Sequence, residues 1–203
     1  MLLEKLKTAN LQNHSSDERL RSSSSTHSRR GFLTSLGSAS ATVLLLNPIN
    51  ALAKISPERH LAFYNTHTSE KLDIVYFSGG RYISDALTEI DQLFRDHRTD
   101  EVHPIDPGLF DILYGLSSLT KHSQTFQIIS GYRSPATNAL LRRRSKRVAK
   151  KSFHMRGQAA DIRLPGVDTK RLRNMAISLQ QGGVGYYRTS NFIHVDTGRV
   201  RRW

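Results

Sequence analysis

The sequence predicts an α+β fold in which helices flank a small antiparallel sheet. Three observations predict it. Short apolar runs with strand-like composition recur between Leu72 and Asp196, segments with apolar residues every three or four positions separate them, and the last two runs face each other across a four-residue turn. The chain has 203 residues, 37% of them hydrophobic, which suits one domain with a modest core. No internal repeat is present.

The elements follow in order. Leu72 to Phe77 reads as a strand closed by the turn pair Gly79-Gly80. A helix capped by Ser84 runs through Arg95, with Leu87, Ile90 and Phe94 spaced for burial on one face. Pro107 to Leu119 is a second helix with Leu109, Ile112, Leu113 and Leu116 inward. Phe126 to Ile129 is a short strand that runs into Ser130-Gly131-Tyr132-Arg133-Ser134-Pro135. A third helix starts at Pro135, where the missing N–H costs nothing, and reaches Arg144. Ala159 to Leu164 is a strand ended by Pro165-Gly166, and Thr169 to Gln181 is a fourth helix stopped by Gly182-Gly183. Val184 to Tyr187 and Phe192 to Asp196 pair as a hairpin.

Ahead of these elements the chain has a different character. Residues 1–27 are polar and Ser-rich and predict disorder. The pair Arg29-Arg30, a small and apolar stretch to Leu46, and Ala51-Leu52-Ala53 read as a twin-arginine export signal with its cleavage site. The apolar stretch is broken by Gly37 and several Ser and Thr, and is shorter than the ~20 residues that span a bilayer, so no membrane anchor is expected after cleavage. The division is therefore a signal over 1–53 and a working domain over 54–203.

Thirty Lys and Arg against seventeen Asp and Glu give a net charge of +13. The first 53 residues hold six of those cations and three of those acids, so residues 54–203 keep +10. That charge suits an anionic partner. An exported domain with no aromatic-interleaved basic motif is not expected to meet nucleic acid, which leaves anionic lipid or an anionic cell-wall surface. No cysteine is present, so disulfides, thiol catalysis and thiolate metal sites are excluded. His and carboxylate ligands remain.

Such ligands stand in one stretch, Ser152-Phe153-His154-Met155-Arg156-Gly157-Gln158-Ala159-Ala160-Asp161. His154 and Asp161 offer an imidazole nitrogen and a carboxylate oxygen separated by a turn of small residues. His194, in the strand Phe192 to Asp196, supplies a third ligand. Catalytic zinc takes three protein ligands and keeps one position open, and His154, Asp161 and His194 supply three for one Zn2+ per chain. Residues two apart on a strand share a face, so Asp196 lies on the side of His194, available as general base or as a residue that orients the imidazole. His67, His97 and His103 have no matching spacing and read as local hydrogen-bonding or cleft residues. The run Arg142-Arg143-Arg144-Ser145-Lys146-Arg147, followed by Lys150-Lys151, is either a wall-polymer contact or a solvated face. Gly182-Gly183-Val184-Gly185 lacks a phosphate-loop pattern and reads as tight backbone geometry under the site.

The pattern Ser152-x-His154-x-x-Gly157-x-Ala159-x-Asp161 with a later His194 resembles the D-alanyl-D-alanine carboxypeptidase and dipeptidase type of metallopeptidase, whose LAS-type zinc fold lysostaphin-like and hedgehog-like domains share. Ser130-Gly131-Tyr132-Arg133-Ser134, Gly182-Gly183-Val184-Gly185-Tyr186-Tyr187 and the segment Phe192 to Trp203 are similar to the murein endopeptidase K group, over nearly all of residues 61–203. The resemblance implies a periplasmic zinc peptidase that cuts peptide cross-links of peptidoglycan; a monomer is expected. It makes His154, Asp161 and His194 the zinc ligands and gives Arg133 the scissile carbonyl, a role a fixed guanidinium suits. Dipeptidase relatives carry a glutamate three residues before the last His, where this chain has Asn191, which cannot take a proton, so Asp196 is the leading candidate for the general base. Asn191 and the basic run motivate a competing expectation, a zinc-containing wall-binding module that has lost catalysis.

Overall fold

A computed structural model describes residues 57–120 and 125–203; the export signal predicted over 1–53 lies outside them. The strands are β1 (Arg59–Asn65), β2 (Lys71–Ser78), β3 (Arg81–Tyr82), β4 (Thr125–Ser130), β5 (Ala159–Arg163), β6 (Gly183–Tyr187), β7 (Phe192–Asp196) and β8 (Arg201–Arg202). The helices are α1 (Ser84–Leu93), α2 (Pro107–Ser118), α3 (Pro135–Arg144) and α4 (Thr169–Ser178), with a 3-10 turn over Phe153–Arg156.

The class is α+β, but the sheet departs from the small antiparallel one expected. It has eight strands in the order β3-β2-β1-β4-β5-β7-β6-β8, and it is mixed. The pairs β1–β4 and β6–β8 are parallel. The first arises because β1 (Arg59–Asn65), which carries Leu61 and Phe63 into the core on alternate positions, pairs with a strand some sixty residues later. The intervening chain supplies the long crossover that a parallel pair needs. The hairpin of β6 and β7 forms as expected, with Val184 opposite Val195 and Gly185 opposite His194.

Helix ends follow local chemistry. Asp106 caps α2 by accepting from Gly108 N at 3.0 Å, Ser134 caps α3 by accepting from Thr137 N, and Asp168 caps α4 by accepting from Lys170 N and Arg171 N. Pro107 and Pro135 occupy first turns, where no N–H is needed. Ser84 does not cap α1; Ile83 holds that position and makes no side-chain cap bond.

Helices α1, α2 and α4 pack on the sheet, and one core joins them. Its centre is Phe63, Phe94, Phe110 and Phe126, with Ile90, Leu109, Leu113 and Leu116 from the helices. No helix among the described residues is long and apolar enough to cross a membrane.

The core decides where the chemistry sits. In β5 and β7, Ala160, Ile162, Ile193 and Val195 belong to the core. Strand alternation then sends Ala159, Asp161, His194 and Asp196 to the opposite face. The register sets Asp161 directly across from His194, and Ala159 across from Asp196. Two separate sequence segments thus meet at one point.

Candidate active site

His154 Nε2, His194 Nδ1 and Asp161 Oδ1 converge from three elements. His154 comes from the 3-10 turn, Asp161 from β5 and His194 from β7. His154 Nε2 is 3.1 Å from His194 Nδ1 and 3.2 Å from Asp161 Oδ1, and His194 Nδ1 is 2.9 Å from the same oxygen. The three residues are the group able to hold a metal ion among the described residues, and all three are buried.

The outer atoms of each ligand determine what the inner atoms can do. His154 Nδ1 donates to the Gly131 carbonyl oxygen at 2.7 Å, and a carbonyl can only accept, so the proton belongs on Nδ1 and Nε2 keeps its lone pair. His194 Nε2 donates to Asp196 Oδ2 at 3.0 Å, leaving the Nδ1 lone pair facing inward. The third inner atom is a carboxylate oxygen. Three electron-pair donors therefore face one another with no proton of their own between them, an arrangement that suits a cation. Two nitrogens and one oxygen match the His and carboxylate preferences of zinc.

Electrostatics agree at His154 and Asp161 and pull the other way at His194. Burial, reinforced by the Arg133 guanidinium, pushes His154 down to about 4, so it is neutral at pH 7. Burial alone would raise Asp161, but His154 and Arg133 outweigh it and hold the carboxyl well below its usual range. Burial opposes the charged form of His194 as well, yet hydrogen bonds to Asp161 and Asp196 leave it raised. Asp196 is likewise held low, because His194, Arg201 and the Gly198 N–H overcome its desolvation.

Arg133 lies beside the cluster. Its Nη2 donates to Asp161 Oδ2 and its Nε donates to Ser130 Oγ at 2.8 Å. The β4–β5 register shift between Ile128 and Ser130 brings Ser130 opposite Asp161, and Arg133 N donates to the His154 carbonyl at 3.2 Å. The guanidinium lines the cleft with the cluster.

Asp196 sits behind His194, away from the inner nitrogen, and is fully buried. It accepts five hydrogen bonds: from His194, from Gly183 N and Gly198 N, and two from Arg201 at 2.9 and 2.6 Å. Arg201 is itself held with its guanidinium carbon 4.9 Å from the ring centres of both Phe153 and Trp203. A Cβ on Gly183 would stand 2.6 Å from Asp196 Oδ2, and one on Gly185 would stand 2.7 Å from the Trp203 ring. The glycines thus admit the supports of His194, as the glycine run suggested.

The remaining candidates lie apart from the cluster. Asn191 is in the β6–β7 turn at φ 51°, where its side chain accepts from Thr169 Oγ1. His67 and His97 stack on each other at 3.7 Å, and His103 stacks on Tyr132 at 4.6 Å. Arg142, Arg143 and Arg144 are exposed in the last turn of α3, whereas Arg147 and Lys151 line the cleft. Sequence reasoning passed over Arg201, Trp203 and the Gly131 carbonyl as parts of the site. A backbone oxygen has no sequence signal, and Arg201 is one of many arginines in a basic chain.

A family model described as peptidoglycan L,D-endopeptidase MepK matches residues 53–203. The peptidoglycan L,D-endopeptidases MepK of Escherichia coli and Shigella flexneri are each 43% identical to the chain over 175 residues, which is 86% of this chain and 96% of theirs. The probable peptidoglycan L,D-endopeptidase MepK of Haemophilus influenzae is 42% identical over 176 residues, 86% of this chain and 95% of its own. No solved structure matches. With the family model covering the whole described domain, the chain belongs to the peptidoglycan L,D-endopeptidase MepK family.

Proposed function

We propose that the chain is a zinc peptidase of the periplasm that hydrolyses amide bonds in the peptide cross-links of peptidoglycan, with His154, Asp161 and His194 holding the metal. The observation that carries the reading is the convergence of three unprotonated donors whose outer atoms are each committed elsewhere. Bound there, zinc would lower the pKa of a water to about 7 and polarise a carbonyl.

The chain's own residues supply the rest. The Gly131 carbonyl keeps the His154 proton on Nδ1, and Asp196 keeps the His194 proton on Nε2. Of the two roles open to Asp196, this geometry supports the orienting one: the carboxylate has no face toward the cleft and its acceptor positions are filled by His194, Arg201 and two backbone N–H groups. Arg133, held by Asp161 and Ser130, is placed to stabilise the negative charge that develops on a substrate carbonyl oxygen. The lining of the cleft includes no carboxylate other than Asp161 among the described residues.

The names of the relatives point to L,D rather than D,D cross-links. Export by the twin-arginine signal of residues 1–53 would bring the domain of residues 54–203 to this substrate, and its charge of +10 suits the anionic wall. The non-catalytic wall-binding reading loses one of its two motives, because the Asn191 side chain accepts from Thr169 and does not line the cleft. The test is digestion of sacculi enriched separately in L,D and D,D cross-links. Wild type should release muropeptides from the L,D material, and both chelator and His154→Ala should stop it. Release by His154→Ala at the wild-type rate would sink the reading.

A further inference from the structure

The cleft at the metal-type cluster encloses about 660 Å³ and continues past Trp203 into a second hollow of about 550 Å³; the two share Arg147, Tyr187, Ser190 and Trp203. Their charge is one-sided. Among the described residues Asp161 is the only acid lining either, and Arg133 already pairs with it. Arg147 and Lys151 line the first hollow, and among the described residues neither forms an ion pair.

These two cations are carried by a segment with a defined shape. Past the end of α3, Arg147 N donates to Ser145 Oγ at 3.2 Å and Val148 N donates to the Ser145 carbonyl at 3.4 Å. Asn138, buried in α3, donates from Nδ2 to the Ala149 carbonyl at 3.2 Å. The segment is thereby tied to the helix on both sides of Arg147.

The endopeptidase reading gives this charge a partner. In an L,D amide the D residue contributes the nitrogen and keeps its own carboxyl group, two bonds from that nitrogen. Where this carboxyl is neither amidated nor extended, the substrate carries an anion next to the bond to be cut. Arg133 is held by Asp161 and Ser130, and its remaining N–H groups are assigned to the carbonyl oxygen of the bond to be cut, so recognition of that anion falls to other cations.

We propose that Arg147 and Lys151 are the anion-binding arm of the cleft, selecting cross-links whose residue on the amine side of the cut bond carries a free carboxylate. The proposal rests on the endopeptidase reading and deepens it to a substrate class. A guanidinium can grip a carboxylate through two N–H groups while an ammonium adds a point charge, and both contacts, being exposed, weaken with salt.

The test uses product peptides that differ only in that group, one with the carboxylate and one with the carboxamide. Calorimetry gives affinity, and quenching of Trp203, the single tryptophan of the chain, reports occupancy of the cleft. Wild type should bind the carboxylate peptide about tenfold more tightly at about 50 mM salt, and the preference should shrink at about 500 mM. Arg147→Ala/Lys151→Ala should bind both peptides within about twofold of each other. On the carboxylate cross-link the same variant should raise KM about tenfold and leave kcat within about twofold. Equal binding of the two peptides by wild type, or an undiminished preference in the double variant, overturns the proposal. Failure of wild type to cut any cross-link while it still prefers the carboxylate peptide would instead overturn the endopeptidase reading.

Discussion

Replacing Asp196 by Asn separates the two roles that its position on β7 allows. The side chain keeps its shape but turns one oxygen into an NH2 group. At the Oδ1 position that group would face three donors, Gly183 N, Gly198 N and Arg201 Nη1. At the Oδ2 position it would face His194 Nε2 and Arg201 Nη2. The second orientation has fewer conflicts, and it makes His194 Nε2 an acceptor. The imidazole proton must then move to Nδ1, the atom turned toward His154 and Asp161. Loss of such an orienting contact typically weakens a metal site about 10- to 100-fold, or about 1.4 to 2.8 kcal/mol at 1.4 kcal/mol per decade. Competition with a chromophoric chelator measures the zinc affinity, with kcat determined at saturating zinc. The expected result is a weaker zinc site whose activity recovers largely with added metal. Unchanged zinc affinity with a large fall in kcat would refute the reasoning and make Asp196 the proton acceptor.

Further outcomes follow from other contacts. Arg133→Gln removes the guanidinium from the cleft and should lower kcat about 10²- to 10³-fold on the loaded enzyme; zinc content measured alongside separates this from loss of the ion pair with Asp161. Gly185→Ala places a methyl group against the indole of Trp203, and should shift the Trp203 emission maximum and raise KM, whereas an unchanged spectrum would contradict the packing. His97 is held down to about 4, first by burial and then by His67 and Arg98. The unfolded chain takes up that proton near pH 6.5 and the folded chain resists it until about 4, so His97 costs stability as pH falls through this window. Thermal melts of His97→Gln should accordingly show a shallower decline between pH 6.5 and 4 than wild type.

Much of the site was legible because the ligands are side chains with distinctive chemistry and close spacing. His154 and Asp161 stand seven residues apart around a glycine-containing turn, and His194 lies on a strand whose alternation was visible. What the sequence did not reveal was the register that sets Asp161 opposite His194, since that depends on which strands become neighbours. The same limit explains the sheet. Strand β1 has Leu61 and Phe63 at alternate positions, but its parallel partner β4 lies beyond two helices, and β3 and β8 are two residues long, too short to show a period. Asp196 illustrates the boundary in one residue. Its shared face with His194 followed from strand geometry, whereas its commitment to Arg201 depended on a fold-back of the chain between Thr197 and Val200 that no periodicity describes.

The central claim is that His154, Asp161 and His194 together hold one zinc ion. The most direct measurement is zinc stoichiometry by elemental analysis on folded wild type and on His154→Ala, Asp161→Ala and His194→Ala, with circular dichroism to confirm folding. The account predicts one zinc per wild-type chain and a folded but metal-poor protein for each variant. Full zinc occupancy in any of the three folded variants would contradict it.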